Sequence, residues 1–168
     1  MKEHDVFLLQ GSNKENKKIY LDKSLILISK KIGEVIKTSS IFESEAWNMK
    51  NSPVFYNRVL HIKTNYSPID ILKKILKIEF IIGRKKNFFE KKKKEYQNRE
   101  IDIDILFYDD IIIHSSILTI PHPLLHLRRF VLEPMCEIDQ NKNHPIFHLT
   151  ILEMLGLCID KLHVKKIL

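Results

Sequence analysis

Apolar residues fall along this chain in two alternating rhythms, short unbroken runs and positions three or four apart. Val6-Phe7-Leu8-Leu9 is an unbroken run that stops at Gly11-Ser12-Asn13, the pattern of a buried strand entering a turn. Between Ile19 and Ile32, the residues Leu21, Leu25, Ile28 and Ile32 keep helical spacing, and Gly33 follows where a helix would end. Val35 to Glu45 is rich in β-branched residues and predicts a second strand. Ala46 to Pro53 breaks the pattern as a loop and holds the sole tryptophan, Trp47. Phe55 to Thr64 predicts a strand with Phe55, Asn57, Val59, His61 and Lys63 on one face and Tyr56, Arg58, Leu60, Ile62 and Thr64 on the other. Ser67-Pro68-Ile69-Asp70 opens a helix, with Ser as N-cap, Pro in the first turn and an acidic residue beside the positive end of the dipole. Its buried face is Ile71, Leu72, Ile75, Ile78 and Ile82, and Gly83 ends it.

Residues 84–98 are almost wholly polar and predict a long mobile loop, a length that is usually functional or disordered. Glu100 to Tyr108 predicts a strand, Asp109-Asp110 a turn, and Ile111 to His114 a second short strand. Ile120-Pro121-His122-Pro123 is extended, because each proline biases its predecessor away from helix. Leu124 to Leu132 predicts a helix limited by Pro134, and a last helix lies near Thr150 to Leu155. Strand, helix, strand, strand, helix, strand is the order of an α+β fold, a mostly antiparallel sheet with its two crossover helices on one face. At 168 residues the chain reads as one domain throughout.

Composition adds a bias and some exclusions. Lys and Arg number 28 against 21 Asp and Glu, and the net charge of +7 favours an anionic partner, though Lys-rich coding gives the same excess. Cys136 and Cys158 sit in no C-x-x-C or His-rich cluster, which argues against zinc and fits a reducing cytosol. No apolar run approaches the ~20 residues that span a bilayer, and the first apolar stretch is short for a signal peptide. These features lead us to expect a cytoplasmic protein without a membrane partner.

The sharpest chemical feature is Arg99-Glu100-Ile101-Asp102-Ile103-Asp104-Ile105. Side chains two apart on a strand share a face about 6–7 Å apart, so Asp102 and Asp104 point one way and the isoleucines the other. Carboxylates at that spacing repel unless a cation joins them, and hard oxygen ligands of this kind select magnesium, which keeps water and phosphate oxygens as its other ligands. An amphipathic strand with its acidic face in water has the same pattern. Arg84 and Arg99 flank the polar loop, where an Arg fork suits phosphate and a loop can close over it; a solvated charge run also fits Lys91 to Lys94. His122, held between prolines, and Arg128 can both donate to a phosphate. Trp47, Phe55 and Phe130 can enclose a flat heterocycle whose edge Asn57 reads, or can equally be core.

Together these segments resemble the 6-hydroxymethyl-7,8-dihydropterin pyrophosphokinase family, most strongly over residues 5–140. The matching motifs are Leu9-Gln10-Gly11-Ser12-Asn13, Ser39 to Glu45, Phe55-Tyr56-Asn57, Ile78-Glu79 with Gly83-Arg84, Arg99 to Leu106, Ile120 to Pro123, and Arg128 to Pro134. The resemblance implies a ferredoxin-like sandwich, usually a monomer, that moves diphosphate from ATP to the pterin hydroxymethyl group in folate biosynthesis. It implies two magnesium ions on Asp102 and Asp104, and catalytic Arg84 and Arg99. It places Glu79, Tyr96, His122 and Arg128 at ATP, and Ser44, Trp47, Phe55, Asn57 and Phe130 at the pterin. The chain departs from the family's pattern at Lys14-Glu15-Asn16, where Leu-Gly-Asp is common. Its polar loop is longer, Tyr96 stands where Trp is usual, and Phe55 replaces a Tyr. The main alternative is a single-stranded RNA-binding α+β module, against which stand two aspartates on the strand that should stack bases. An inactive scaffold is a second alternative, and the retention of both aspartates and both arginines argues against it.

Overall fold

A computed structural model describes residues 2–47, 50–83 and 99–168. The first apolar run extends into β1 (His4–Ser12), followed by α1 (Lys17–Lys31), β2 (Glu34–Thr38), β3 (Phe42–Ser44), β4 (Phe55–Thr64), α2 (Pro68–Ile82) and β5 (Asp102–Tyr108). A small hairpin, β6 (Ile113–His114) and β7 (Thr119–Ile120), leads through a 3₁₀ turn at Leu125–Leu127 to α3 (Arg129–Asp139), α4 (Ile151–Leu157) and β8 (Val164–Lys166). The large sheet runs β5-β1-β4-β3-β8, with β2 also on β4, and all its pairs are antiparallel. This is the ferredoxin-like arrangement the sequence predicts, with β2 and β3 sharing the place of the second strand.

Two predicted elements change. Val35 to Glu45 is two strands because Ser39 interrupts the ladder: its hydroxyl accepts the Val59 N–H at 2.9 Å while its own N–H donates to the Val59 carbonyl at 2.8 Å. The helix expected to stop before Pro134 runs through it to Asp139. An interior proline costs about 3 kcal/mol. Val131, Leu132, Met135 and Ile138 are all buried on that helix, and each buried side chain contributes about 1.5–3 kcal/mol. Burial therefore wins. The strand β8 was not anticipated.

The sheet has a core on each face. Leu8, Ile28, Leu60, Ile62, Ile75, Ile101, Ile103 and Ile105 belong to the core under α1 and α2. Phe7, Leu9, Val59, Leu106, Val131 and Met135 belong to the core under α3 and α4. The alternation read in Phe55 to Thr64 and in Ile101 to Ile105 is thus the division between the two cores. A bulge in the β1 to β5 pairing, between Phe7 and Leu8, lets Leu106 and Phe107 share a face. Ser67 caps α2 by accepting the Asp70 N–H, and Gly33 has no room for a side chain, since a Cβ there would meet the Lys63 carbonyl oxygen at 2.1 Å. Among the described residues no helix is long and apolar enough to cross a membrane.

Candidate active site

Sheet register assembles the site. Gly11 of β1 lies opposite Asp102 of β5 on one side and Asn57 of β4 on the other, and Leu9 lies likewise between Asp104 and Val59. Strands stand about 4.8 Å apart, so Asp102 and Asn57 are separated by roughly 10 Å across the sheet. This row faces the α3 side, beyond the part that α3 covers. Gly11 forms its floor: a Cβ there would stand 3.2 Å from Asn57 Oδ1 and 3.8 Å from the Phe55 ring. A flat ring can therefore lie on bare backbone between the amide and the carboxylates.

The walls are the predicted aromatic and polar residues. Ser44, Trp47, Phe55, Asn57, Arg99, Asp102, Asp104, Arg128 and Phe130 all line one cleft. The buried Ser44 hydroxyl accepts from Asn57 Nδ2 at 2.7 Å. That bond turns the Asn57 carbonyl oxygen toward Gly11, where it can accept from a ligand N–H. Arg128 stacks its guanidinium over Trp47 at 4.6 Å and near Phe130 at 5.6 Å. Its Nε is buried and has no hydrogen-bond partner among the described residues. Arg99 donates from Nη1 to Asp102 Oδ1 at 3.0 Å, and its backbone N–H donates to Asn13 Oδ1 at 2.8 Å, which fixes the start of the strand.

A second cleft adjoins the first. Leu72, Ile103, Ile105, Thr119 and His122 line it, together with Asp104, which thus borders both. Burial is the main cause that holds the His122 ring at a pKa of about 4, with Arg128 adding repulsion against the opposing pull of Asp102. Its Nδ1 accepts from the Leu124 N–H at 3.1 Å, so the neutral ring carries its proton on Nε2, a donor for a phosphate oxygen. The ring is half protonated near pH 6.5 in the unfolded chain and only near pH 4 in the folded one. Stability should therefore fall as the pH drops through that window, by up to about 1.4 kcal/mol per pH unit for this group. In a ligand-free sample its ring protons should hold their shifts from pH 8 to 5 in an NMR titration.

Arg84 and Tyr96 lie outside the described residues. Glu79 is placed differently from the rest: it is buried on α2 and its Oε2 accepts the Ile103 N–H at 3.3 Å. It lines neither cleft and braces the strand that carries the carboxylates. Leu9, Gly11 and Glu45 also line the first cleft; they stand inside motifs read in the sequence, yet only the register shows which way they face. Lys14, a departure from the family's pattern, pairs with Glu100 at 3.2 Å beside the site.

Two carboxylates on one face of one strand, at the junction of two clefts, form a hard oxygen donor set that leaves most positions on a divalent ion to water and phosphate. That fits magnesium. Among the described residues no group of three or more His, Cys, Asp or Glu offers a closed metal cage.

Residues 7–140 match the family 7,8-dihydro-6-hydroxymethylpterin-pyrophosphokinase. A 2-amino-4-hydroxy-6-hydroxymethyldihydropteridine pyrophosphokinase of Aquifex aeolicus is 39% identical over 142 residues, 84% of each chain. The folic acid synthesis protein fol1 of Pneumocystis carinii is 34% identical over 155 residues, 92% of this chain but 20% of that one. Among solved structures, Plasmodium falciparum HPPK-DHPS superposes with a TM-score of 0.74 at 19% identity, covering 93% of this chain and 45% of that one. The chain thus spans less than half of the last and a fifth of fol1.

Proposed function

The chain belongs to the 7,8-dihydro-6-hydroxymethylpterin-pyrophosphokinase family, an enzyme family of folate biosynthesis, and from that premise we propose that it transfers the diphosphoryl group of ATP to the hydroxymethyl oxygen of 6-hydroxymethyl-7,8-dihydropterin. The observation that carries this reading is that Asp104 borders both clefts. One cleft has the aromatic walls, bare floor and amide edge suited to a pterin. The other has His122, a hydrogen-bond donor suited to a nucleotide phosphate. The carboxylates stand where the two ligands would meet.

In the proposed reaction the hydroxymethyl oxygen bonds to the β-phosphorus, the bond from that phosphorus to the oxygen of the α-phosphate breaks, AMP leaves with that oxygen and the bonding pair, and the hydroxyl proton passes to water. Phe55, Phe130 and Trp47 enclose the ring and Asn57 fixes its rotation, so the hydroxymethyl arm is directed along the sheet row toward Asp102. Magnesium, when bound to Asp102 and Asp104, supplies charge neutralisation on the phosphates. Arg99, Arg128 and the neutral His122 donate to phosphate oxygens as negative charge spreads. Arg84 and Tyr96 are proposed, on the family pattern, to act from the loop, and Glu79 to act through the strand it braces. The chain is proposed to work as a monomer with two such ions.

The test is AMP release from ATP and magnesium with and without the hydroxymethyl-dihydropterin. AMP and the pterin diphosphate should form in equal amounts, and chelation of divalent ions should remove at least about 99% of the rate, restored by magnesium. Salt-dependent retention of single-stranded RNA with no AMP formed would favour the RNA-binding alternative instead.

A further inference from the structure

The segment after α4 lies beyond the family match, which ends at residue 140, yet it touches both walls of the pterin cleft. Its strand β8 pairs with β3 and sets Val164 opposite Ser44. The N–H of Glu45 donates to the His163 carbonyl at 3.4 Å, and that of Ile41 to the Leu168 carbonyl at 2.9 Å. Four residues before β8, Asp160 reaches the start of α3. One carboxylate oxygen accepts the Arg129 N–H at 3.1 Å and the other accepts the Leu162 N–H at 3.0 Å. The Arg129 side chain answers by donating from Nε to the Asp160 carbonyl at 3.0 Å and from Nη2 to the Cys158 carbonyl at 3.3 Å.

A helix usually draws its first cap from its own N-cap residue, most often Ser, Thr, Asp or Asn. In α3 that position is Arg128, whose side chain makes no cap bond and lies over Trp47 in the cleft. A guanidinium cannot accept a hydrogen bond, so the residue that faces the ligand leaves the helix end uncapped from within. Asp160 supplies the acceptor from elsewhere in the chain, and its negative charge suits the positive end of the dipole. The residue it holds, Arg129, stands between Arg128 and Phe130, both of which line the cleft.

We propose that Asp160 is a positioning residue for the pterin site: by capping α3 in place of Arg128 it sets Arg128 and Phe130 against Trp47, and with β8 it ties that wall to the wall carrying Ser44. This rests on the pterin reading given above. Asp160→Ala should raise KM for the hydroxymethyl-dihydropterin about five- to tenfold, the scale of one lost cap, and leave kcat within about twofold, because binding and not the reacting atoms is disturbed. Asp160→Asn keeps a side-chain acceptor and should restore most of that affinity. Trp47 is the sole tryptophan, so its emission in the ligand-free protein reports the Arg128 stack without any turnover; it should shift in Asp160→Ala and return in Asp160→Asn. Arg129→Ala keeps the backbone donor and should show a smaller shift of the same sign. Should the unaltered protein release no AMP, the pterin reading fails, while Trp47 emission still decides whether Asp160 orders the cleft. Should Asp160→Ala fold too poorly to assay, Arg129→Ala decides by the same readouts. Unchanged emission and unchanged KM overturn the proposal.

Discussion

Asp104→Ala is expected to lose turnover by about a thousandfold or more while melting at the temperature of the unaltered protein. Removing one preorganised electrostatic contact to a transition state typically costs about 10²–10³ in rate, and Asp104 borders both clefts, so its loss disturbs the ion and the alignment of both substrates. Stability should hold because Asp104 is only partly buried near the open end of the edge strand β5, whose anchoring lies in the isoleucines beneath it. Asp102→Ala should give a comparable loss and also release Arg99, whose guanidinium Asp102 holds at 3.0 Å. Asp104→Asn keeps shape but not charge and separates the two roles. If it retained near-normal turnover in magnesium, the carboxylate would not be an ion ligand and the metal assignment would fail.

What the sequence discloses of this site follows from how strands work. A period of two is a local property, so Asp102 and Asp104 could be set on one face and the isoleucines on the other from seven letters. The shared face of Phe55, Asn57 and Val59 was legible for the same reason. Which strand lies beside which is not local. The row from Asp102 through Gly11 to Asn57 exists because β1 sits between β4 and β5, and nothing in any one strand states that. Glu79 shows the converse: the family resemblance implied a place at the nucleotide, whereas the turn of α2 directs its side chain to the Ile103 N–H of β5. The tail was illegible because Val164–Lys166 is too short to carry a pattern and is a strand only by virtue of β3 beside it. The extent of α3 was misjudged because a proline rule weighs one residue, while four buried side chains decide the helix.

Arg58→Ala should produce the largest loss of stability and leave the chemistry nearly untouched. The alternation along Phe55 to Thr64 puts this arginine on the face of Leu60 and Ile62, and it is only 8% exposed there. Its Nε donates to Gln10 Oε1 at 2.9 Å, its Nη2 to the Leu21 carbonyl at 3.0 Å and its Nη1 to Asp22 Oδ1 at 3.3 Å. Gln10 in turn donates from Nε2 to the Leu21 carbonyl at 3.0 Å and to the Ser24 hydroxyl at 2.5 Å. The cluster fastens α1 to β1 and β4, so truncating Arg58 opens a hole and strands the Gln10 oxygen in it. Stranding the buried, neutral Gln10 oxygen costs about 1–3 kcal/mol and the lost burial of the arginine stem adds about 0.8 kcal/mol per methylene, while the Asp22 side chain, 43% exposed, returns to water; the sum is still a large share of the 5–15 kcal/mol that typically holds a domain. Urea unfolding should show the midpoint falling with an unchanged m value. Arg58→Met with Gln10→Leu fills the space and removes the stranded acceptor, and should recover part of the loss as a coupling between neighbours. Because the preceding residue, Asn57, faces the opposite side of the sheet and lines the cleft while Arg58 does not, kcat per folded molecule should stay within about twofold. A loss below about 1 kcal/mol would mean that water satisfies Gln10 and Asp22 as well as the guanidinium does, and that the helix is held by its apolar face alone.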